Sequence, residues 1–452
     1  MYFLYSLVTA VGTILLTPYV LLSKVRREKY LPNLRERLGL RFPAELEVDG
    51  RGPSRAIWLH AVSVGEVLAA VPLARCLRQR FPGWRLVVST TTATGQKLAR
   101  ERMNFSDAVF YFPFDWSGPV RRVFRAVRPD AIVILETEIW PNLLRHARRT
   151  GVPVVVVNGR LSDRSFRGFT RAVKISAGFL GGFLRRILND AALYLVQSRQ
   201  DGARLIALGA ATDRVIVTGS MKYDVAEPPP NAFVNWLRGE LSRSRRGPVV
   251  VAGSIIAGEE MLVLQAFASI QQKWPQALLV LAPRKPDRFV AAGEIATQAG
   301  WHAMRRSETS LDGLSAGILG GAGGGKSVLV LDTLGELAAL YGIADAVFIG
   351  GSLVPAGGHN PLEPAVFAKV PIFGRSMDNF REIAASLLEA GAAIQVDSAS
   401  QLGAAWFGLL EDNARRTHMG LAAREIVERN RGATAATLDR VAAIIERQRA
   451  HT

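Results

Sequence analysis

The chain has 452 residues, 49% of them hydrophobic, and a formal net charge of +17. This length and composition predict a globular protein of two or three domains with sizeable cores. The single cysteine, Cys76, excludes an internal disulfide, and the strong basic charge predicts an anionic partner such as nucleic acid, a phospholipid surface or a phosphorylated substrate.

The first predicted element is an uncharged stretch over residues 2 to 23. As a helix it would be about 33 Å long at ~1.5 Å per residue, enough to cross a bilayer core. A basic cluster follows it, made of Lys24, Arg26, Arg27 and Lys29. The positive-inside rule then predicts a single membrane anchor at residues 1–25 with the rest of the chain in the cytoplasm. A cleaved signal peptide is disfavoured because no basic segment precedes the stretch, and a soluble core helix is the other alternative.

From residue 56 onward, short apolar runs alternate with helical patterns. The runs are "AIWLHAV", "RLVVST", "AIVILE", "VPVVVV" and "LYLVQS". This alternation is typical of a parallel, doubly wound α/β sheet. We therefore predict a Rossmann-like domain over residues 26–226, ended by the proline-rich segment "YDVAEPPPNAF" at residues 223 to 233.

The same alternation restarts after the prolines. The runs are now "PVVVAGS", "ALLVLAP", "SVLVLD", "AVFIGG" and "VPIFG", followed by helical segments at residues 399 to 448. We predict a second Rossmann-like domain over residues 227–452. Two such domains facing each other would leave a central cleft, with the ligand loops at the carboxyl ends of the strands.

A glycine-rich segment from Gly320 to Ser327 matches the P-loop pattern of ATP-binding proteins. In a working P-loop a helix begins at the Lys-Ser pair, because the helix N-terminus helps to bind the phosphates. Here the residues from Ser327 to Asp332 are apolar and β-branched and predict a strand instead. The match is therefore a poor candidate for a kinase site.

Charged side chains follow several strands of the first domain. Glu66 lies in the first turn of a predicted helix, where it either complements the helix dipole or acts as a general base. Glu136 and Glu138 end an apolar strand, and Lys222 follows the last strand before the prolines. Such positions suit ligand contacts, although solvated strand ends also carry charge.

The second domain offers comparable positions. Arg284 and Lys285 come directly after a strand, where they could bind a phosphate. Gly335 and Glu336 lie at a strand-to-helix turn. The motif from Asn360 through Pro361 to Glu363 fits a helix cap, and a glycine-rich loop that leads into a helix also fits a phosphate site, so both interpretations can hold together.

Other classes of site are disfavoured by the sequence. The six histidines are scattered without i, i+4 spacing, so no metal site is predicted. No RNA-binding or zinc-finger motif accompanies the charge, so nucleic acid is a weaker explanation than a membrane. A basic stripe on a predicted helix is a candidate surface for anionic lipid, or a solvated face: Arg164, Arg167, Arg171 and Lys174.

Taken together, seven motifs and the N-terminal segment resemble one family. They are "HAVSVGE", "LETEIWPN", "NGRLSDRS", "VTGSMKYD", "APRKPDRF", "DTLGEL" and "GGSLVPAGGHNPLEPA". Over almost the whole chain the sequence resembles the 3-deoxy-D-manno-octulosonic acid (Kdo) transferases of lipopolysaccharide synthesis. The resemblance implies a GT-B glycosyltransferase that moves Kdo from CMP-Kdo onto the lipid A precursor, lipid IVA, with inversion, at the cytoplasmic face of the bacterial inner membrane.

The resemblance also assigns roles to residues. It implies that Glu66 is the catalytic base and that Glu136 and Lys222 stabilise the transition state, with no cofactor and no metal. The implied CMP contacts are Pro283, Arg284, Leu334, Gly335, Glu336, Asn360, Pro361, Leu362 and Glu363. Lys285 and Asp287 depart from the family pattern, which has histidine and glutamate there.

Three alternatives remain open from the sequence. One is another GT-B enzyme that uses a UDP-sugar and a lipid acceptor. The second is a membrane-anchored P-loop lipid kinase, which would share the anchor and the glycine-rich segment. The third is a non-catalytic membrane scaffold, which would leave the acidic residues at the strand ends unexplained.

Overall fold

The computed structural model describes residues 1–21, 33–46, 55–176, 178–308 and 327–450. The chain forms two compact units. Unit 1 comprises Met1–Asp224 and Arg431–Thr452, and unit 2 comprises Val225–Asn430. The sequence pattern predicts a second domain over residues 227–452, whereas in the structure the segment from Arg431 onward belongs to unit 1.

The last helix, Ala433–Ala450, explains this difference. Its side chains of Val441 and Ile445 are buried in a core of unit 1 together with Leu73. The carboxylate of Asp224 also accepts hydrogen bonds from the N–H groups of Gly432 and Thr434, at 2.6 and 2.5 Å, where the helix begins. An amphipathic pattern shows that a helix packs on a core, but it does not show on which core.

Unit 1 contains a seven-stranded parallel sheet. Its strands are β1 Ala56–His60, β2 Arg85–Thr90, β3 Ala108–Tyr111, β4 Ala131–Leu135, β5 Val154–Gly159, β6 Leu193–Val196 and β7 Val215–Val217. Their order is β3-β2-β1-β4-β5-β6-β7. The order reverses between β1 and β4, and the carboxyl edge at such a point is where doubly wound sheets bind ligands.

Apolar strands buried on both faces are what the sequence predicted for this sheet. Side chains alternate between two cores: Trp58 and Ile132 lie in one, and Ile57 and Val133 lie in the other. This alternation follows from the period of two along a strand, and the helices on both faces exclude water from it. The prediction of a parallel α/β sheet is confirmed.

Unit 2 repeats the arrangement with a second seven-stranded parallel sheet. Its strands are β8 Val249–Ile255, β9 Leu278–Pro283, β10 His302–Arg305, β11 Ser327–Val330, β12 Ala346–Ile349, β13 Ile372–Phe373 and β14 Ile394–Gln395. Their order is β10-β11-β9-β8-β12-β13-β14, so the reversal lies between β8 and β12.

The α-helices of the described residues are numbered here in chain order. They are α1 Tyr2–Leu21, α2 Leu34–Arg37, α3 Val64–Arg80, α4 Ala93–Arg102, α5 Ser117–Val127, α6 Pro141–Arg149, α7 Asp163–Ile175, α8 Phe179–Leu188, α9 Arg199–Ala207, α10 Ala232–Ser244, α11 Glu260–Lys273, α12 Phe289–Gln298, α13 Leu337–Leu340, α14 Leu362–Ala365, α15 Arg381–Glu389, α16 Ala399–Glu411, α17 Asn413–Asn430 and α18 Ala433–Ala450.

The N-terminal helix α1 contacts the rest of unit 1 through polar side chains. The hydroxyl of Tyr2 donates to Asp190 at 2.5 Å, and that of Tyr5 donates to Asp115 at 3.1 Å. Among the helices that the structure describes, none has the length and apolar character needed to cross a membrane. The anchor predicted at residues 1–25 therefore finds no support in the structure.

Two further predictions concern local segments. The strand predicted after the glycine-rich segment is confirmed as β11, whose side chains are buried. Residues 320–326 of the P-loop match lie outside the described residues. Its last residue, Ser327, begins β11. The predicted basic stripe lies on α7, with the side chains of Arg164, Arg167, Arg171 and Lys174 exposed.

Candidate functional site

Glu66 lies directly beyond β1, at the carboxyl edge of the first sheet. Helix α3 begins at Val64 after the N-cap Ser63, which makes Glu66 the third helical residue. One carboxylate oxygen accepts the N–H of Val62 at 2.7 Å, and the other accepts the hydroxyl of Ser63 at 2.9 Å. Only 7% of the residue is exposed, so the carboxyl group is held in one place and largely dehydrated.

The environment of Glu66 opposes its ionisation. Burial raises the pKa of Glu66 to about 8, the charges of Glu136 and Glu138 add to the rise, and the two hydrogen bonds oppose it. A carboxyl group with this pKa can bind and release a proton near neutral pH. An exposed glutamate that served only the helix dipole would keep a pKa near ~4.3.

Glu136 follows β4, the strand next to β1 at the point where the strand order reverses. Its backbone is left-handed, with φ of 56°, and its N–H donates to the carbonyl of Val157 at 2.9 Å. This conformation costs a non-glycine residue roughly 1–2 kcal/mol. Strain of this kind is found where a side chain must point in one direction, and it often marks functional positions.

Lys222 lies beside Glu136, with its Nζ 3.9 Å from Oε1 of Glu136. It belongs to a 3₁₀ turn, Met221–Tyr223, beyond β7. The side-chain oxygen of Asn158, at the end of β5, accepts the N–H of Met221 at 3.0 Å and fixes that turn. The structure therefore brings Lys222 to the part of the sheet edge where Glu136 lies.

Glu138 joins the same group. Burial raises the pKa of Glu138, and the charge of Glu136 adds to the rise. Three carboxyl groups and one ammonium group thus share this edge, which we call the acidic site: Glu66, Glu136, Glu138 and Lys222. In the part of the chain that the structure describes, no group of three His, Cys, Asp or Glu side chains could hold a metal ion.

His60, the last residue of β1, was not assigned a role from the sequence. It is fully buried, and its Nδ1 lies 3.1 Å from the carbonyl oxygen of Ser89. Burial lowers the pKa of His60 to about 3, so the ring is neutral. It stacks on Phe112 with ring centroids 3.9 Å apart. Its contact with Ser89 joins the ends of β1 and β2. The sequence did contain a signal for His60, since it is a polar residue at the end of an otherwise apolar strand.

In unit 2, Arg284 follows β9, which ends at Pro283. Its N–H donates to the carbonyl of Ile255 at 2.8 Å, and its side chain is exposed. Burial raises the pKa of Glu363 to about 6. The positive charge of Arg284 and a hydrogen bond between Glu363 and the Asn360 side chain oppose that rise. Burial lowers the pKa of His359 to about 4, and the Arg284 charge adds to the fall. Arg284 therefore lies close enough to the 359–363 loop for its charge to affect both His359 and Glu363.

The cap predicted at Asn360 forms in a different way. Helix α14 is a single turn, and it begins at Leu362 rather than at Pro361. The side-chain oxygen of Asn360 accepts the N–H of Leu362 at 3.1 Å. The side chain of Asn360 thus contacts the first helical N–H group, in a helix that starts at Leu362 and ends after four residues.

Three more of the expected CMP contacts, Leu334, Gly335 and Glu336, directly precede α13. Leu334 is 68% exposed, and Gly335 has a φ of 90°, a conformation that glycine adopts without strain. Glu336 accepts Nη2 of Arg306 at 3.0 Å. Among the described residues, no hydrogen bond or ion pair joins this segment to Arg284 or to the 359–363 loop.

Glu259 is a residue that the sequence analysis missed. Its fully buried carboxylate accepts four backbone N–H groups. They belong to Ile256 at 3.2 Å, Gly351 at 2.6 Å, Ser352 at 3.0 Å and Leu353 at 2.9 Å. The carboxylate thereby joins the loop after β8 to the loop after β12, which are adjacent strands of the sheet.

Glu260, the next residue, contacts a second loop, the one that follows β9. Its Oε1 lies 2.5 Å from Nη2 of Arg288, and its Oε2 accepts the N–H of Gly258 at 2.9 Å. Arg288 belongs to the segment that follows Arg284. Two adjacent glutamates at a strand-to-helix turn were visible in the sequence, but only the fold shows that they fix the two loops that carry Arg284 and Asn360.

The chain is similar to known proteins in sequence and in fold. Residues 32–225 match the family model of 3-deoxy-D-manno-octulosonic-acid transferase (kdotransferase). The chain is 32% identical over 449 residues to the 3-deoxy-D-manno-octulosonic acid transferase of Haemophilus influenzae, covering 98% of this chain and 99% of the relative. It is 35% identical over 424 residues to the transferase of the same description from Bordetella pertussis, covering 91% of each.

The fold is similar to that of Acinetobacter baumannii MurG. The TM-score is 0.52 with 15% sequence identity, and the match covers 86% of this chain and 100% of that chain. At this identity the likeness concerns the fold alone.

Proposed function

The chain belongs to the 3-deoxy-D-manno-octulosonic acid (Kdo) transferase family, and from this premise we propose that it transfers Kdo from CMP-Kdo to the lipid A precursor, lipid IVA. Family membership makes the protein a glycosyltransferase and removes the P-loop lipid kinase as an alternative. The donor, the acceptor, the inversion at the anomeric carbon and the GT-B class are parts of the proposal.

The observation that carries the proposal is the state of Glu66. A hydrogen-bonded, dehydrated carboxyl group with a pKa of about 8 is suited to general base catalysis near neutral pH. Glu66 takes the proton of an acceptor hydroxyl while the oxygen forms a bond to the anomeric carbon of Kdo. The bond from that carbon to the phosphate oxygen breaks, and its electron pair leaves with CMP.

Lys222 and Glu136 act beside the base in this proposal. The ammonium group of Lys222 offsets negative charge that develops during transfer, as preorganised charges do in other active sites. Glu136 holds that ammonium group near the base, and its strained backbone supports a functional role for the side chain. The sequence resemblance assigned both residues to the transition state.

We place the nucleotide on unit 2. The exposed guanidinium group of Arg284 can bind a phosphate with two parallel hydrogen bonds. The position of Arg284 beside Glu363 and Asn360 supports a shared role for the two segments. The proposed CMP contacts remain Pro283, Arg284, Leu334, Gly335, Glu336, Asn360, Pro361, Leu362 and Glu363. Lys285 and Asp287, where the chain departs from the family pattern, are exposed next to Arg284.

A lipid acceptor places the reaction at a membrane surface, which we propose to be the cytoplasmic face of the bacterial inner membrane. The net charge of +17 and the exposed basic stripe of α7 support contact with anionic lipid.

The proposal is tested with purified protein, CMP-Kdo and lipid IVA, with products read by mass. We expect the acceptor mass to increase by whole Kdo units, and the increase gives the number of Kdo residues added. UDP-sugars in place of CMP-Kdo should give no product. Transfer from a UDP-sugar, or no transfer from CMP-Kdo by a folded protein, would overturn the proposed donor.

A further inference from the structure

A cavity of about 810 Å³ in unit 1 is lined by residues of α6, of α8 and of the turn after α8. Five of the residues around it are arginines: Arg145, Arg148, Arg149, Arg185 and Arg186. Among the described residues that line it, Asp190 supplies the one carboxylate. The cavity, which we call the arginine cavity, is made by elements other than those that carry the acidic site.

Asp190 already has two partners within the protein. It accepts the hydroxyl of Tyr2 at 2.5 Å and lies 3.5 Å from Nε of Arg148. Arg145 is also occupied, because its guanidinium lies over the ring of Tyr2, 4.2 Å from the centroid. Within the described part of the chain, no carboxylate pairs with Arg149, Arg185 or Arg186.

Several like charges around one concave space repel each other unless an anion neutralises them. A basic face that is merely solvated would spread its charges over a convex surface. The guanidinium fork fits the oxygens of a phosphate group, and cavities of roughly 300–1,000 Å³ are typical of ligand sites. We propose that the arginine cavity binds the phosphate group of a phosphate-bearing ligand.

Two sources could supply this phosphate group: a phospholipid headgroup or a free phosphate compound. The neighbouring helix favours the headgroup. Tyr2 joins the first turn of α1 to Asp190, and the apolar side chains of Leu4, Leu7 and Val8 on the same helix are exposed. An amphiphile with its phosphate in the cavity would have apolar protein surface nearby for its chains.

The test uses the full chain without donor or acceptor, so a failure of the proposed transfer leaves it unaffected. Inorganic phosphate is added at constant ionic strength, and binding is read from the thermal midpoint. In a second arm, the protein is sedimented with phosphatidylcholine vesicles that do or do not contain phosphatidylglycerol. The variant is Arg185→Ala/Arg186→Ala, which changes two exposed side chains of the cavity. The matched control, Arg440→Ala/Arg447→Ala, removes the same charge from two exposed positions of α18.

We expect the α8 variant to lose about tenfold or more in affinity, and the α18 control to change less than about twofold. If the α8 variant loses affinity for the phosphatidylglycerol vesicles alone, the ligand is a lipid headgroup. If it also loses affinity for inorganic phosphate, a phosphate group alone is sufficient for binding. Arg185→Lys/Arg186→Lys, which keeps the charge but not the fork, should lie between the two. Equal losses in the α18 and α8 variants, or no loss in the α8 variant in either arm, would overturn the proposal.

Discussion

Lys222 and Glu136 lie 3.9 Å apart, Nζ to Oε1, although the strands that precede them, β7 and β4, are separated in the sheet by β5 and β6. The chain after β7 therefore runs back along the carboxyl edge of the sheet. Asn158, at the end of β5, holds it there through the N–H of Met221. The pair is thus a product of the fold and not of local sequence.

The first prediction concerns this pair. Lys222→Ala removes the ammonium group beside Glu136, and we expect turnover to fall about 10²-fold, as for the loss of one preorganised charge in an active site. Lys222→Arg should recover part of the activity, since the charge remains. The control is Lys97→Ala, at an exposed position of α4. Wild-type turnover in Lys222→Ala would rule out a role in the transition state.

The second prediction concerns pH. Because the pKa of Glu66 is raised to about 8, only about a tenth of the molecules carry the ionised base at pH 7. The value of kcat/KM for the acceptor should therefore rise about tenfold per pH unit below pH 7 and level off above pH 8. Initial rates from pH 5.5 to 9 measure this. A flat profile over that range is incompatible with Glu66 as the base.

Much of the fold could be predicted from sequence, because an apolar strand followed by a helical pattern has one common three-dimensional solution. The strands around Trp58, Ile132 and Val251 are buried in parallel sheets as their composition indicated. Glu66 and Glu136 could also be placed near each other, since β1 and β4 are neighbours in the usual doubly wound order.

Long-range packing could not be predicted from local patterns. The helix Ala433–Ala450 has an ordinary amphipathic sequence, and only its contacts in the core around Leu73 show that it belongs to unit 1. For α1 the sequence showed apolar character but not the hydrogen bonds of Tyr2 and Tyr5 to unit 1. Glu259 was missed for the same reason, because its four partners come from two separate loops.

The third prediction concerns Glu259. Glu259→Gln replaces a carboxylate oxygen by an NH₂ group that faces backbone N–H donors, so hydrogen bonds in the buried cluster are lost. We expect unfolding free energy to fall by about 2–4 kcal/mol and the KM for CMP-Kdo to rise more than kcat falls, because the loops of unit 2 lose their fixed position.

Glu294→Gln is the matched control, since it removes the same charge from an exposed position of α12. Chemical denaturation gives the stability, and steady-state kinetics with CMP-Kdo gives the two constants. A Glu259→Gln protein with wild-type stability and KM would show that the cluster does not position the loops.

The last prediction concerns Glu66 itself and combines activity with stability. Glu66→Gln keeps the size of the side chain but cannot accept a proton, so turnover should fall by roughly 10² to 10⁴ while CMP affinity is retained. The raised pKa means that the folded protein binds the Glu66 proton more tightly than the unfolded chain does. The wild type therefore loses stability, relative to the variant, as the pH rises from about 4.5 to about 8.

The midpoint of Glu66→Gln minus that of the wild type should consequently be more positive at pH 9 than at pH 5. If Glu66 only complemented the dipole of α3, its replacement would instead cost about 0.3 to 1 kcal/mol of stability wherever the wild-type carboxylate is ionised, and transfer would be nearly unchanged. The midpoint difference changes between pH 5 and pH 9 only if the pKa of Glu66 is raised in the folded protein, whereas the dipole role predicts a constant difference. One variant measured at two pH values, together with its transfer rate, therefore decides between the two roles.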